Sequence, residues 1–371
     1  QDLYRQLPGE LAANFKDAGS FKLKNIALPL NLFHWRPQKS TAAPADDVPS
    51  ITVEPFTFAP DDTETRAAVA DLRDQLFSRL SRRTGIRVLD DASSPALDAT
   101  YKLRGRLRLA GRQGRLNLSL LIRDAGTAAW SQTYEGDPSD IFQFCDDLLE
   151  RAEADLRLQI NAFDGDRVSH LPDEELSISE LRSRAASAFY KPTNDNWDYA
   201  RRLLERALVL NPSDPMALAM RAEAITLLAQ SRFETLPDEQ ADELQNQLNE
   251  AVIALPRSDY VFCTCALFKS YVLGDAAAAE ADARRVLALS PAYVPGYEFL
   301  GVSQLLADNL DEAAASLRKA VTLGETDPIV SCRMYLLAIS ELCREDFDAA
   351  LHAIGQAIQL QPNQRLCLLY T

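Results

Sequence analysis

The side chains able to do chemistry are few in this sequence and poorly grouped. Its three histidines, His34, His170 and His352, lie too far apart to suggest a site, and surface or boundary roles are expected of them. Cys263-Thr264-Cys265 places two thiols close together, but the spacing is wrong for a zinc knuckle and no second Cys or His pair lies nearby. Asp61-Asp62 and Asp90-Asp91 are carboxylate pairs of the kind that can hold a divalent metal, and they read more simply as loop and helix-cap acids. Lys102, Arg104, Arg106 and Arg108 alternate with Leu103, Leu107 and Leu109. That ladder could meet an anion or phosphate. Its alternation describes the solvated face of a half-covered sheet better, with docking onto an acidic helix further along the chain as another use. No Gly-rich phosphate loop is present. The expectation is no catalytic residue, no metal and no cofactor.

Composition narrows the class further. With 371 residues the chain has room for two or three domains, and 47% apolar residues can support real cores. A formal charge of −15 argues against a nucleic-acid partner, because phosphate binding rests on clustered Lys and Arg. Cysteines at 145, 263, 265, 332, 343 and 367 read as small core residues in a reducing compartment, which suits a cytoplasmic location. No run approaches the roughly 20 apolar residues of a membrane-spanning helix. The sequence begins with Gln1 and shows no signal peptide, so a segment upstream is expected to have been removed or left out.

The elements that must position any site come from repeats. Ala200, Ala207 and Pro212 are spaced 7 and 5 apart, and so are Ala350, Ala357 and Pro362. The pattern recurs at Ala313, Ala320 and Glu325, then more loosely at Ala279, Val286 and Pro291 and at Leu244, Ala251 and Pro256. The terminal positions step by 44, 35, 34 and 37 residues. Small residues two turns apart on one stripe let two helices pack closely, and a proline after the second helix stops it. Pro295, Tyr297, Leu300 and Gly301, leading to Ala313 and Ala320, form the best copy. Residues 230–239 lengthen the second hairpin, and Ser177 with Glu180 has the capping-box form that opens the first.

This segment, 177–371, resembles the tetratricopeptide (TPR) repeat family, whose period is 34 residues. The resemblance implies an all-α solenoid of about five helical hairpins whose first helices line a groove for a protein or peptide partner. In this register the groove residues include Val261, Thr264, Phe268, Tyr271, Glu298, Val302, Leu305, Tyr335, Ile339 and Leu342. The Lys, Asn and Arg of the family's carboxylate clamp are missing from these three units, so an acidic tail is not the expected ligand. An apolar, aromatic groove favours an amphipathic helix or apolar peptide, the chain's own linker included.

Residues 51–162 have a different texture. The pattern predicts strands over 51–56, 85–89, 101–109, 116–123 and 129–134, with a hairpin turn at 111–114. Helices are predicted over 63–83, burying Val69, Leu72, Leu76 and Leu80, and over 140–160, burying Ile141, Phe144, Leu148 and Leu156. A shortened helix is expected at 92–98. This small α/β sandwich is similar to the TolB amino-terminal-like domain, on the strength of Val53–Phe56, Tyr101–Gly105, Leu121–Asp124 and Trp130–Tyr134. The turn before the Trp strand is 125–127. That family has no catalytic residues, so the resemblance implies a fold and a placement.

Phe15 to Phe33, with Leu23, Lys24, Asn25, Ile26 and Pro29 in order, resembles the closing segment of a class III nucleotide cyclase domain: strand, turn, final strand. Residues 1–36 are then a remnant of that domain, 37–50 and 163–176 are linkers, and the whole is a multidomain bacterial chain. In that family the metal-binding Asp pair, the purine-reading pair and the phosphoryl-stabilising Asn and Arg all precede this segment. Here only Asp2 and Glu10 supply acids before Phe15, so two-metal phosphoryl transfer cannot be assembled. The resemblance implies the non-catalytic regulatory and interaction region of an adenylate or guanylate cyclase, with signal transduction through the repeats and homodimer formation through the cyclase domain. A free-standing adapter with no cyclase activity, an enzyme in its own right and an envelope protein are the alternatives.

Overall fold

The computed structural model describes residues 15–21, 30–35, 49–81, 86–89, 99–122 and 128–361. The expected cyclase-like turn at 23–29, most of the 37–50 linker, Asp90-Asp91, the short helix at 92–98, the turn at 125–127, Pro362 and Cys367 all lie outside these. The chain divides into two units, Gln1–Asp47 and Val48–Thr371. In the first, β1 (Phe15–Phe21) pairs antiparallel with β2 (Leu30–Trp35), from Phe15 opposite Trp35 to Phe21 opposite Leu30, with a register shift between Asp17 and Gly19.

The second unit begins with a mixed sheet. Strands β3 (Ser50–Val53), β4 (Thr57–Ala59), β5 (Arg87–Leu89), β6 (Tyr101–Ala110), β7 (Gln113–Ile122) and β8 (Ala128–Gly136) run in the order β5-β3-β6-β7-β8, with β4 also on β6. β3 is parallel to both β5 and β6, while β6, β7 and β8 form an antiparallel meander. Along β6 the alternation buries Tyr101, Leu103 and Leu107 and exposes Arg104, Arg106 and Arg108. The basic ladder is thus on the solvated side, where Lys102 and Arg104 pair with Glu54.

Helices α1 (Thr63–Ser81) and α2 (Ile141–Arg167) build the core of this layer. The α1 stripe Val69, Leu72, Leu76 and Leu80 and the α2 stripe Ile141, Phe144, Leu148 and Leu156 all belong to one buried cluster with Ile51, Leu103, Leu107 and Leu118. Asp62 caps α1, its carboxylate accepting from the Thr65 amide at 2.8 Å, while Asp61 pairs with Arg66. The linker expected over 163–176 is partly helix: α2 continues unbroken to Arg167, and Asp173–Glu175 forms a 3-10 turn. Ser50, expected in the first linker, opens β3.

Among the described residues, ten further helices form five antiparallel hairpins. They are α3 (Ile178–Phe189) with α4 (Asn194–Leu210), α5 (Pro215–Arg232) with α6 (Asp238–Ala254), and α7 (Asp259–Phe268) with α8 (Ala276–Leu289). α9 (Val294–Leu306) with α10 (Leu310–Leu323) and α11 (Val330–Cys343) with α12 (Phe347–Leu360) complete the array. The capping box at Ser177 is formed, with both reciprocal bonds to Glu180. The second hairpin gains length in its helices of 18 and 17 residues instead of in its loop, where Phe233 takes a left-handed C-cap.

The repeat stripe explains why these hairpins nest. Ala200 and Ala207, Leu244 and Ala251, Ala279 and Val286, Ala313 and Ala320, and Ala350 and Ala357 are all buried. Each second helix also ends alike: the cap amides of Asn211, Leu255, Ser290, Gly324 and Gln361 bond the carbonyls of Ala207, Ala251, Val286, Ala320 and Ala357. One side-chain position therefore both seats the helix and anchors its stop. A close approach falls at Gly301, where an added Cβ would lie 2.6 Å from Leu317 Cγ of the partner helix.

Candidate binding cavity

The first helices of successive hairpins share one cavity of about 1130 Å³. α3, α5, α7, α9 and α11 contribute most of its walls, the start of α4 adds Asn194, Asp195 and Trp197, and the second half of α2 adds Ala154, Arg157, Leu158 and Asn161. A helix that begins in the sheet core thus ends in the wall of the repeat cavity. Amphipathicity makes this possible. The early turns of α2 carry the sheet-facing stripe, and Ala154 joins a second buried cluster with Ala292, Val294, Ala320 and Leu323.

Ion pairs and hydrogen bonds hold α2 there. Arg157, 9% exposed, donates to Asp259 at the start of α7 and to Ser290 Oγ, and its guanidinium lies 3.9 Å from the centre of the Tyr293 ring. Burial works against the charge of Arg157, but Asp259 more than offsets it and holds the proton above its ordinary range. Asp155 joins three layers, accepting from the Tyr134 hydroxyl of β8 at 2.7 Å and from Thr326. Glu150 pairs with Lys319 at 2.7 Å. At Gly165 the helix presses on α3, where an added Cβ would sit 2.4 Å from the Ser187 Cβ.

The cavity lining is aromatic, with Phe189, Trp197, Tyr260, Tyr271, Tyr293 and Tyr335 among its residues. Tyr271 belongs to a π-helical turn, Lys269–Leu273, a departure from α geometry that often accompanies functional sites. Buried or half-buried charge enters at three points, and the exposed Asp195 and Arg232 also line the cavity. Arg157 is matched by Asp259. Arg333, fully buried, meets Glu298 at 2.8 Å and Asp327 at 2.7 Å, and its Nη2 has no acceptor among the described residues. Glu223 accepts from the Tyr260 hydroxyl. Burial pushes the Glu223 carboxyl up to about 7, against the Tyr260 hydrogen bond and with help from Glu298. Burial likewise raises Glu298, the phenols of Tyr260 and Tyr293, and the Cys263 thiol. The raised phenols and the Cys263 thiol stay protonated near neutrality, so Cys263 is a poor nucleophile. Among the described residues no three His, Cys, Asp or Glu gather in a way that could hold a metal. No described helix is long and apolar enough to cross a membrane.

No protein-family model matches the chain. Over 250 residues it is 24% identical to "Putative adenylate cyclase 3" of Rhizobium meliloti (strain 1021), a match covering 61% of this chain and 42% of that protein. The chain therefore spans less than half the length of that relative. Among solved structures, a thermophilic TPR protein of Thermus thermophilus aligns over 52% of this chain and 96% of its own, at 20% identity and a TM-score of 0.42. YrrB, described as a TPR protein with an unusual peptide-binding site, aligns over 56% of this chain and 96% of its own, at 16% identity and a TM-score of 0.33.

Of the ten groove residues expected from the sequence, Thr264, Tyr271, Glu298 and Tyr335 line the cavity. Val261 and Phe268 do not. Both are fully buried inside the second and third hairpins with Ile225, Leu244 and Leu248. On α7 and the π-helical turn the cavity stripe is Tyr260, Cys263, Thr264, Leu267 and Tyr271, which keeps Thr264 and Tyr271 and takes Tyr260 and Leu267 in place of Val261 and Phe268. Val302 is buried in α9, Leu305 is half-buried, Ile339 packs against the last hairpin's core, and Leu342 is exposed; none of the four lines the cavity. Glu223, Leu227, Arg333 and the α2 residues were missed. The α5 copy is a looser repeat, and α2 precedes the repeats altogether, so periodicity gave no signal there. Cysteine placement is mixed: Cys145, Cys263 and Cys265 are buried, Cys332 lines the cavity, and Cys343 is exposed. His170 and His352 are on the surface.

Proposed function

We infer that this chain is a protein-interaction region whose hairpin array takes a peptide or protein segment into the cavity formed by its first helices. The observation that carries this reading is the cavity itself: about 1130 Å³, above the usual range for one small molecule, and walled by aromatic side chains from successive hairpins. The matching experiment pans a displayed peptide library against the whole chain and against Thr264→Trp, which fills the cavity. Peptides retained by the first and lost by the second support the reading; peptides indifferent to Thr264→Trp contradict it.

The interaction region is assigned to the regulatory part of a bacterial class III nucleotide cyclase, in the cytoplasm, with no membrane or nucleic-acid contact of its own. Support comes from the name of the Rhizobium relative and from the resemblance of residues 15–33 to a cyclase closing segment. Residues 51–162 then serve as a TolB-like spacer, and α2 makes that spacer continuous with the repeats. Partner binding would act on how two cyclase domains pair. In a gene product carrying a cyclase domain ahead of residue 1, removing residues 177–371 changes the regulation of cyclic-nucleotide formation. Unchanged regulation leaves the adapter alternative.

A further inference from the structure

We propose that the segment received by the cavity presents a basic side chain, and that Glu223 and Glu298 take its cationic head between them. The proposal rests on the binding reading above and gives the occupant its chemistry.

Charge is unbalanced in this aromatic cavity. Arg157 is neutralised by Asp259, one against one. Arg333 faces two carboxylates, Glu298 and Asp327, and leaves that cluster one negative charge in excess. Glu223 has no cationic partner among the described residues. The groups that face it are the Tyr260 hydroxyl and Cys263 thiol of α7 and Glu298 of α9. The walls therefore carry Glu223 on α5 without a cation and, across α7, the Arg333 cluster with Glu298 of α9, one negative charge in excess; the exposed lining residues Asp195 and Arg232 are one acid and one base.

A carboxylate taken out of water without a partner is costly, and a cation placed beside it removes that cost. The surrounding rings add to the attraction, since Tyr260, Tyr271 and Tyr335 can present π faces to an ammonium or guanidinium group. An acidic ligand would meet the same two acids and be repelled, in keeping with the missing carboxylate clamp. A free amine would fill only a fraction of the cavity; a basic residue flanked by apolar ones fills the aromatic remainder and satisfies the carboxylates together.

The test uses two capped seven-residue peptides of Ala and Leu, one with a central Lys and its twin with norleucine there. Each is titrated calorimetrically into the whole chain at pH 8. The Lys peptide is expected to bind on the order of tenfold more tightly, and that ratio should collapse towards one in Glu223→Gln. Glu223→Gln preserves shape and removes a buried charge, and its melting temperature shows that it folds. Equal affinities for the twins, both lost in Thr264→Trp, would end the cation assignment while leaving the binding reading intact. A tenfold ratio that survives Glu223→Gln also overturns it. So does failure of the Lys peptide to bind.

Discussion

Arg157, on the helix that grows out of the sheet, reaches Asp259 at the start of α7, and both are almost wholly buried. The pair ties the α/β layer to the third hairpin. Replacing one member alone (Arg157→Met) deprives a buried acid of its cation, and a loss of about 3–5 kcal/mol is expected. Urea denaturation of the whole chain measures it. The double variant Arg157→Met/Asp259→Asn should recover most of the loss; a double variant as unstable as the single one would mean that packing of the Arg157 stem, not the charge pair, makes the tie.

The buried stripe of small residues gives a second prediction. Ala320 has no exposed surface, and Leu in its place must push α10 from its neighbours, costing about 1–3 kcal/mol or more. Ala288 is exposed on α8, so Ala288→Leu should stay within about 0.5 kcal/mol of the parent. Similar melting temperatures for the two variants would show that the stripe does not set the spacing.

Gly301 lies where α9 packs tightly on α10. With Leu317 Cγ 2.6 Å from where a Cβ would sit, Gly301→Ala is expected to lower stability by about 1–3 kcal/mol. Trimming the obstacle in the same chain with Leu317→Val should return part of it, seen as a higher melting temperature than Gly301→Ala alone. No such return would place the strain on the Ala313 carbonyl, 3.2 Å away.

Glu223 predicts a pH dependence with a definite sign. Its folded carboxyl sits at about 7, above the ordinary 4.5, because burial disfavours the charged form. Between those values the folded chain holds a proton that the unfolded chain has released, so stability falls as pH rises through the window and levels off above it. Glu223→Gln lacks this slope. It should match the parent near pH 4 and exceed it at pH 8 by something on the order of 1–3 kcal/mol. Parallel melting curves across pH 4–8 would refute the assignment.

Much of the fold was legible because one physical pattern repeats. A seven-residue spacing of small side chains locates all five hairpins, and 3.6-residue periodicity locates α1 and the sheet-facing stripe of α2. What escaped has local causes. β4 is three residues between Phe56 and Pro60, too short to show alternation. Residues 163–167 look like loop because Asp164, Gly165 and Asp166 are poor helix formers, yet Gly165 is there for the contact with Ser187. In α7, counting from the repeat register places Val261 and Phe268 in the groove, while the polar-tipped Tyr260 turned out to face the cavity. Aromatic residues with hydroxyls suit a wet wall, whereas wholly apolar ones are drawn inside the hairpin.

The central claim is that the cavity between first helices receives a partner segment. Hydrogen–deuterium exchange of the whole chain, with and without a peptide selected against it, tests this directly. The account predicts slowed exchange in 215–232, 259–273 and 294–306, which hold much of the lining, and little change in the second helices 238–254, 276–289 and 310–323. Protection confined to those second helices, or to the strands of the sheet, would contradict it.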